Sequence, residues 1–267
     1  MSHLARFSLR CWLPASMAVL LAALTAGCGG NLSPQEAEIA ARIRKLGGRY
    51  HSFPQDQGGQ DESIVIVLLY GTRPTNEDLK NLRQLPSLRI LDLSSTQVTD
   101  AGMEYLADLP LLEKLDLTDT RITDAGLEHL QEPSELRQLI LYDTVVTDAG
   151  MEHLRRLGDL RELHLGSTRV TDAGLEPLEL LPQLQWLSLR DTQVTDAGLQ
   201  HLSELSNLEW LDLIGTQVSD AGLEYLESLS RLKTLLLQDT KVTDEGVKRL
   251  QGVLRDCKIE SGPTQTS

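Results

Sequence analysis

Seven aspartates, Asp100, Asp124, Asp148, Asp172, Asp196, Asp220 and Asp244, recur every 24 residues, each inside a string close to Thr-Gln-Val-Thr-Asp-Ala-Gly. A column of carboxylates is the first residue set that could do chemistry, and that chemistry would be cation binding. Calcium needs roughly six to eight oxygens converging on one point. Each copy instead supplies a single acid directly after a threonine, the arrangement of a helix start. The column is therefore read as structural, and no metal is expected. His129, His153 and His201 form a second periodic set, interrupted by Pro177. They fall on the helix side of the repeat, where successive copies lie farther apart than strands do, and are read as surface residues. The chain has no G-x-S-x-G, H-E-x-x-H, phosphate-binding loop or C-x-x-C, spacings that support nucleophilic, metal-assisted, phosphate-binding and redox chemistry. Adjacent carboxylates arise in any acidic chain that carries a repeated acid. Neither a catalytic centre nor a cofactor is expected.

These residues are positioned by a repeat that runs from Thr96 to Thr240 without insertion or deletion. One copy reads Leu88-x-x-Leu91-x-Leu93-x-x-Thr96-x-Val98-Thr99-Asp100-Ala101-Gly102-Met103-x-x-Leu106. The next has Leu112, Leu115, Leu117, Thr120, Ile122, Leu127 and Leu130 at the same places. The L-x-x-L-x-L spacing resembles the leucine-rich repeat, with Thr where that signature usually has Asn or Cys. The Val/Ile-Thr-Asp-Ala-Gly-Leu that follows resembles its cysteine-containing subclass, known from F-box-type substrate receptors, and also many exported bacterial repeat proteins. The resemblance covers residues 64–260 and implies an α/β leucine-rich repeat solenoid. Such a fold has a curved parallel sheet on its concave side, helices or 3₁₀ turns on its convex side, about eight copies here, and a cap at each end.

A single copy buries too few apolar side chains to offset the ordering of its own backbone, so copies must stack. Within the string each residue then has a structural task. Thr96 is expected to satisfy backbone groups in the turn leaving the strand, and Val98 to plug the core. Thr99 reads as a helix N-cap with Asp100 in the first turn. Ala101 and Gly102 are small, as close approach of the neighbouring copy's backbone would demand. Near the N-terminus, Ser33-Pro34-Gln35-Glu36 is a capping box with Pro at the first helical position. Ile39, Ile43 and Leu46 share one face, and Gly47-Gly48 stops the helix. Residues 49–53 and 64–70 flank a turn-rich stretch, which predicts a hairpin. Its second strand is a degenerate copy, with Ile64, Val67, Leu69, Thr72, Thr75 and Leu79 lying 24 residues before their counterparts. Leu250, Leu254 and Cys257-Lys258-Ile259-Glu260 are expected to close the other end, and residues 261–267 to form a disordered tail.

The 267 residues carry a formal charge of −14, with 40% apolar and only 4% aromatic residues. Scarce aromatics suit a repetitive interior packed by Leu, and the acidity argues against nucleic acid, whose phosphates need a basic surface. Arg6, Arg10, the apolar run 13–24 and Leu24-Thr25-Ala26-Gly27-Cys28 make residues 1–27 a signal peptide, with an apolar run too short for a bilayer. Thr-Ala-Gly-Cys resembles the lipobox of bacterial lipoproteins, with Thr25 where Leu is usual. That resemblance implies cleavage before Cys28, lipidation of Cys28 and membrane anchorage in the cell envelope. Loss of Arg6 and Arg10 leaves the mature chain more acidic still, so attachment would rest on the lipid and not on a basic patch. Cys11 leaves with the leader and Cys257 is then alone, so no internal disulfide is expected. The mature chain divides into a linker, capping helix and hairpin over 28–63 and repeats over 64–260, and a monomer is expected.

Function, on this reading, lies where the copies disagree. Strand side chains alternate, so residues between the core leucines line the concave face. Trp186 and Trp210 fall side by side there, with Tyr142, Ile140, His164, Arg190 and Ile214 around them. Exposed aromatics beside an arginine have the composition of a binding hot spot; the competing view is a cross-strand pair that only stabilises the ladder. Asp212 lies in the same strand position as His164, and the flanking acids Asp92, Asp116, Asp119 and Asp143 favour a partner with positive charge. A protein partner is expected on this face. The repeat subclass implies a second reading, an intracellular substrate-receptor adaptor, but residues 29–63 are too few for an F-box module and the export signal contradicts it. An enzyme or a cation-binding protein comes third, with no constellation to carry it.

Overall fold

The computed structural model describes residues 32–54, 63–131 and 135–263. The expected leader, Cys28 as the expected lipidation site, and residues 55–62 of the turn-rich stretch lie outside the described residues. Ten strands form one sheet in strict chain order. They are β1 Arg49–Pro54, β2 Ser63–Leu68, β3 Leu88–Asp92, β4 Lys114–Asp116, β5 Gln138–Ile140, β6 Glu162–His164, β7 Trp186–Ser188, β8 Trp210–Asp212, β9 Thr234–Gln238 and β10 Lys258–Gly262. β1 pairs antiparallel with β2, and every later pairing is parallel. The constant repeat length sets the register. Leu91, Leu115, Leu139, Leu163, Leu187, Leu211 and Leu235 stand opposite one another, all fully buried. Single helical turns and 3₁₀ segments return the chain behind the sheet, and their leucines and methionines fill the space between.

Each strand exit is closed by one hydroxyl. Thr96 Oγ1 donates to the Leu93 carbonyl at 2.6 Å, and Thr120, Thr144, Thr168, Thr192 and Thr216 repeat the bond. The residue before each threonine is left-handed. Ser95, Asp119, Asp143, Ser167, Asp191 and Asp239 have φ of 52–55°, and Gly71 and Gly215 occupy the same place. Asp tolerates this conformation better than most residues. Asp119 and Asp143, expected to select a partner by charge, are therefore turn residues first.

The aspartate column does more than the sequence suggests. Asp100 does stand in a first helical turn, but its carboxylate reaches into the next copy. Oδ1 accepts from the Thr123 amide at 2.8 Å and Oδ2 from the Thr123 hydroxyl at 2.7 Å. Asp124, Asp148, Asp172, Asp196 and Asp220 hold Thr147, Thr171, Thr195, Ser219 and Thr243 in the same way, at 2.6–2.8 Å. At most of these steps the same hydroxyl also accepts from an amide of its own helical turn, as Thr195 does from Ala197 at 3.3 Å. Thr99, which no aspartate precedes by one period, makes no side-chain cap. The Thr243 hydroxyl and then its amide hold Asp220 below the usual carboxylate range.

This clamp explains the glycine. A Cβ on Gly198 would stand 2.5 Å from Asp172 Oδ1, and one on Gly126 2.5 Å from Asp100 Oδ1. The small residue makes room for a carboxylate of the preceding copy, not chiefly for its backbone as the sequence suggests. The neighbouring alanines, Ala101 and its counterparts, point to solvent and are not spacers.

Both ends are sealed. Helix Pro34–Lys45 starts with the capping box Ser33–Glu36 and buries Ile39, Ala40 and Ile43. Arg42 binds both oxygens of Asp78, at 2.5 and 3.3 Å, tying this helix to the first copy. Burial pushes the Asp78 carboxyl up, but Arg42 and Thr75 together hold it below its ordinary range. A register irregularity between Val65 and Ile66 places Val65, not Ile64, opposite Leu88. At the far end helix Asp244–Val253 buries Leu250, and Leu254 and Cys257 are buried after it. β10 then pairs as far as Gly262, so the strand runs beyond the expected start of the tail at 261.

Asp172→Ala is expected to lower stability by about 1–3 kcal/mol, the cost of leaving donors without an acceptor. Gly198→Ala is expected to be costly alone, because its methyl meets that carboxylate. In urea unfolding the double variant should lose less than the sum of the two, since the first change removes the obstacle to the second.

Candidate functional site

The sheet face away from the leucine core carries the residues in which the copies differ. One row across the strands reads Ile90, Lys114, Gln138, Glu162, Trp186, Trp210 and Thr234, and the next Asp92, Asp116, Ile140, His164, Ser188, Asp212 and Leu236. Parallel strands lie ~4.8 Å apart, so bulky neighbours in a row must touch. Trp186 and Trp210 stack with ring centroids 5.1 Å apart and planes 16° from parallel. Both indoles are partly exposed. The register thus brings together the two residues singled out from the sequence.

Their surroundings differ from expectation in two places. Ile214 is only 5% exposed and Asp212 only 3%. Ile214 lies beyond the end of β8, immediately before the left-handed Gly215, and is buried instead of being offered to a partner. Asp212 is consumed within the molecule. It accepts from the Ile214 amide at 2.9 Å, Arg190 Nε at 3.0 Å and the Ser188 hydroxyl at 3.4 Å. Arg190 is correspondingly anchored, with its guanidinium paired to a buried acid. Burial pushes the Asp212 carboxyl above its usual range, against the pull of Ile214, Arg190 and Ser188.

Asp92 and Asp116 share this habit. Each accepts the amide two residues on, Ser94 at 2.9 Å and Thr118 at 3.0 Å, so their first task is to finish a strand end. Burial raises the Asp116 carboxyl, and the charge of Asp92 on the adjacent strand adds to the effect.

On the other side of the tryptophans, His164 Nε2 lies 2.7 Å from Glu162 Oε1. Ile140 stands opposite His164 on the adjacent strand. Tyr142 lies over Gly166, where a Cβ would come within 2.6 Å of two ring carbons. Glu162 and Gly166 were not among the expected site residues. The signals were a carboxylate two residues from a histidine on one strand and a glycine directly across from a tyrosine. On the helix side, His201 Nδ1 pairs with Glu179 at 2.7 Å, and Arg83 lies over the Tyr105 ring, 5.1 Å from its centroid. Among the described residues no three His, Cys, Asp or Glu side chains are grouped as a metal would need. Burial pushes the Cys257 thiol up to about 11, so it carries little of the nucleophilic thiolate at neutral pH.

The family model for the leucine-rich repeat matches residues 84–107, 109–130 and 159–178. These three segments carry leucine-rich repeats. Among solved structures, an internalin C2 from Listeria monocytogenes is similar at 22% identity and a TM-score of 0.62, over 88% of this chain and 100% of that one. A leucine-rich repeat protein of Leptospira interrogans is similar at 19% identity and a TM-score of 0.42, over 68% of this chain and 62% of that one. No curated protein matches. At these identities the likeness to internalin speaks to the fold, a leucine-rich repeat solenoid whose ten strands and capped ends are described above.

A buried carboxyl with a raised pKa favours the folded state while it is protonated, and that advantage is lost as pH rises through the raised value. Asp116→Asn keeps the acceptor for Thr118 without the charge. It should raise the melting temperature at pH 7, and the gain should vanish near pH 3, below the ordinary carboxylate value of 3.8. Thermal unfolding across this range checks it.

Proposed function

We propose that this chain is a non-catalytic scaffold that binds a protein partner on the open, concave face of its sheet, with Trp186 and Trp210 as anchors. Leucine-rich repeats generally serve as protein-interaction scaffolds. The observation that carries the reading is the partly exposed indole stack in an otherwise aromatic-poor chain. A stack between adjacent strands adds to sheet stability, but burial in the core would do so more effectively, and these rings stand on the open side. Tyr142, Ile140 and His164 extend the surface, and Arg190 borders it while held by Asp212. Asp92 and Asp116 add negative potential along the same rows and favour a partner with positive charge. In the same proposal the protein is exported, cleaved before Cys28, lipidated there and held in the bacterial cell envelope.

Replacing both tryptophans by Ala should weaken the complex with a partner identified by crosslinking in the envelope by roughly 30-fold or more, the loss expected for hot-spot residues. Circular dichroism should stay native. Unchanged affinity would remove the anchor role. For the N-terminal half, the intact mass of the mature protein should correspond to a chain that begins at a diacylated Cys28; a chain that retains Met1 would exclude it.

A further inference from the structure

A chain with a formal charge of −14 is expected to be repelled by anionic headgroups, but its charge is not evenly spread. Residues 42–49 hold Arg42, Arg44, Lys45 and Arg49 and no acid. Arg42 is taken by Asp78. Arg44 and Lys45 end the helix Pro34–Lys45, Arg49 opens β1, and all three are exposed. The fold brings a fourth cation to the same end. Arg49 stands opposite Leu68 at the close of β2. The loop leaving β2 packs on the turn after the helix, where a Cβ on Gly47 would lie 3.9 Å from the Thr72 methyl. Arg73 follows in that loop and is exposed as well. None of Arg44, Lys45, Arg49 and Arg73 has an ion pair among the described residues. Of the acids at this end, Glu77 is paired with Lys80 at 3.7 Å, and Glu38 lies about two helical turns before Lys45. The field of the cations is felt locally: burial, and then the charges of Arg49 and Arg44, hold the His51 imidazole below its ordinary range. The same loop carries Tyr70, 68% exposed, the most exposed large apolar side chain among the described residues.

Uncommitted cations around an exposed tyrosine make a surface suited to a membrane. Basic side chains are drawn to anionic headgroups, and a phenol settles at the boundary with its ring toward the acyl chains and its hydroxyl in water. Position favours the same occupant. In the envelope reading above the acyl chains sit on Cys28, and only residues 29–33 separate it from Pro34. That stretch reaches at most about 20 Å, and the 12-residue helix adds about 18 Å. The bilayer is then the surface closest to the basic end of the helix. We infer that this end of the solenoid docks on the anionic phospholipid headgroups of the membrane that holds the anchor. Arg44, Lys45, Arg49 and Arg73 make the contact, and Tyr70 enters the headgroup boundary. The lipid holds the chain to the membrane; the patch sets its orientation. Trp186 on β7 lies five strands beyond β2, about 24 Å along the sheet, and stays open to a partner. This inference rests on the proposed anchorage at Cys28 and adds how the anchored chain sits.

The test is hydroxyl-radical footprinting of the full chain, purified from bacterial membranes with the N-terminus the cell leaves on it. The protein is reconstituted in vesicles of phosphatidylcholine alone and of phosphatidylcholine with phosphatidylglycerol, and oxidation of Tyr70 is read by mass spectrometry. Tyr70 should be oxidised roughly fivefold or more slowly on the anionic vesicles, about the factor that one cation contributes near such a surface. Tyr225, exposed on the other side of the repeats, should not change. High salt should abolish the difference. So should the variant Arg44→Gln/Lys45→Gln/Arg49→Gln/Arg73→Gln, with a native circular dichroism spectrum. Equal oxidation of Tyr70 on both vesicles, or protection that survives the variant or high salt, overturns the docking. Protection that appears in native envelope fragments but not on anionic vesicles also overturns it, and assigns the patch to an acidic protein. The N-terminal mass of the same sample separates the two readings. A diacylated Cys28 with Tyr70 unprotected leaves the anchor standing and removes only the docking surface. A chain that still begins at Met1 removes the anchor, and the docking inference with it.

Discussion

The solenoid depends on a carboxylate that belongs to two copies at once. Asp172 stands in the first helical turn of its own copy and binds the amide and hydroxyl of Thr195 in the next. The six clamps of this kind give every internal junction the same polar geometry, and the glycine beneath each one is the space the carboxylate needs. Leucines supply the apolar burial, but leucine packing alone tolerates sliding and rotation. Two charge-assisted bonds at fixed places set how far one copy may turn against the next. From that fixed step follow the unbroken register of the sheet and the straight rows of side chains on its open face.

The open face then inherits its geometry from the junctions. Because rows are in register, any two large residues at one strand position in successive copies are forced into contact. The tryptophan stack needs nothing else to form. What surrounds it is decided by local chemistry at strand ends. Aspartates in the second row turn back to bind the amide two residues on, and in the following row Ile214, just before the left-handed Gly215, is buried. A face that looks strongly acidic on paper thus has much of its acid tied to its own backbone. Glu162, held from the side by His164, is the carboxylate next to the stack that keeps an oxygen free among the described residues.

Much of this was legible in the sequence. A constant period with alternating leucines specifies the strands, their order and their register, and Thr96 bonds the strand-end carbonyl as its position implies. The clamp was not legible, because Thr99 and Asp100 are adjacent in the chain and look like a cap serving one helix. In space the aspartate serves the threonine 23 residues later, and adjacency points to the wrong partner. Ile214 and Asp212 misled for a related reason. Alternation predicts facing only while the strand continues, and Ile214 lies beyond the three-residue strand Trp210–Asp212, whereas Asp212 ends that strand and is taken up by Ile214, Arg190 and Ser188. Glu162 and Gly166 escaped notice because their roles lie in what they let a neighbour do.

The clamp also has a direction. The six aspartates from Asp100 to Asp220 each reach forward to the following copy, and each meets the amide and hydroxyl of a threonine or, once, of Ser219. Any internal copy can therefore succeed any other without a new junction having to be invented. A gene carrying such a unit can gain or lose one whole period by recombination between copies, and the product meets its neighbours through bonds already present. Length becomes a heritable variable separate from recognition: the array can grow on either side of the tryptophans while the spacing within the pair stays that of two adjoining strands.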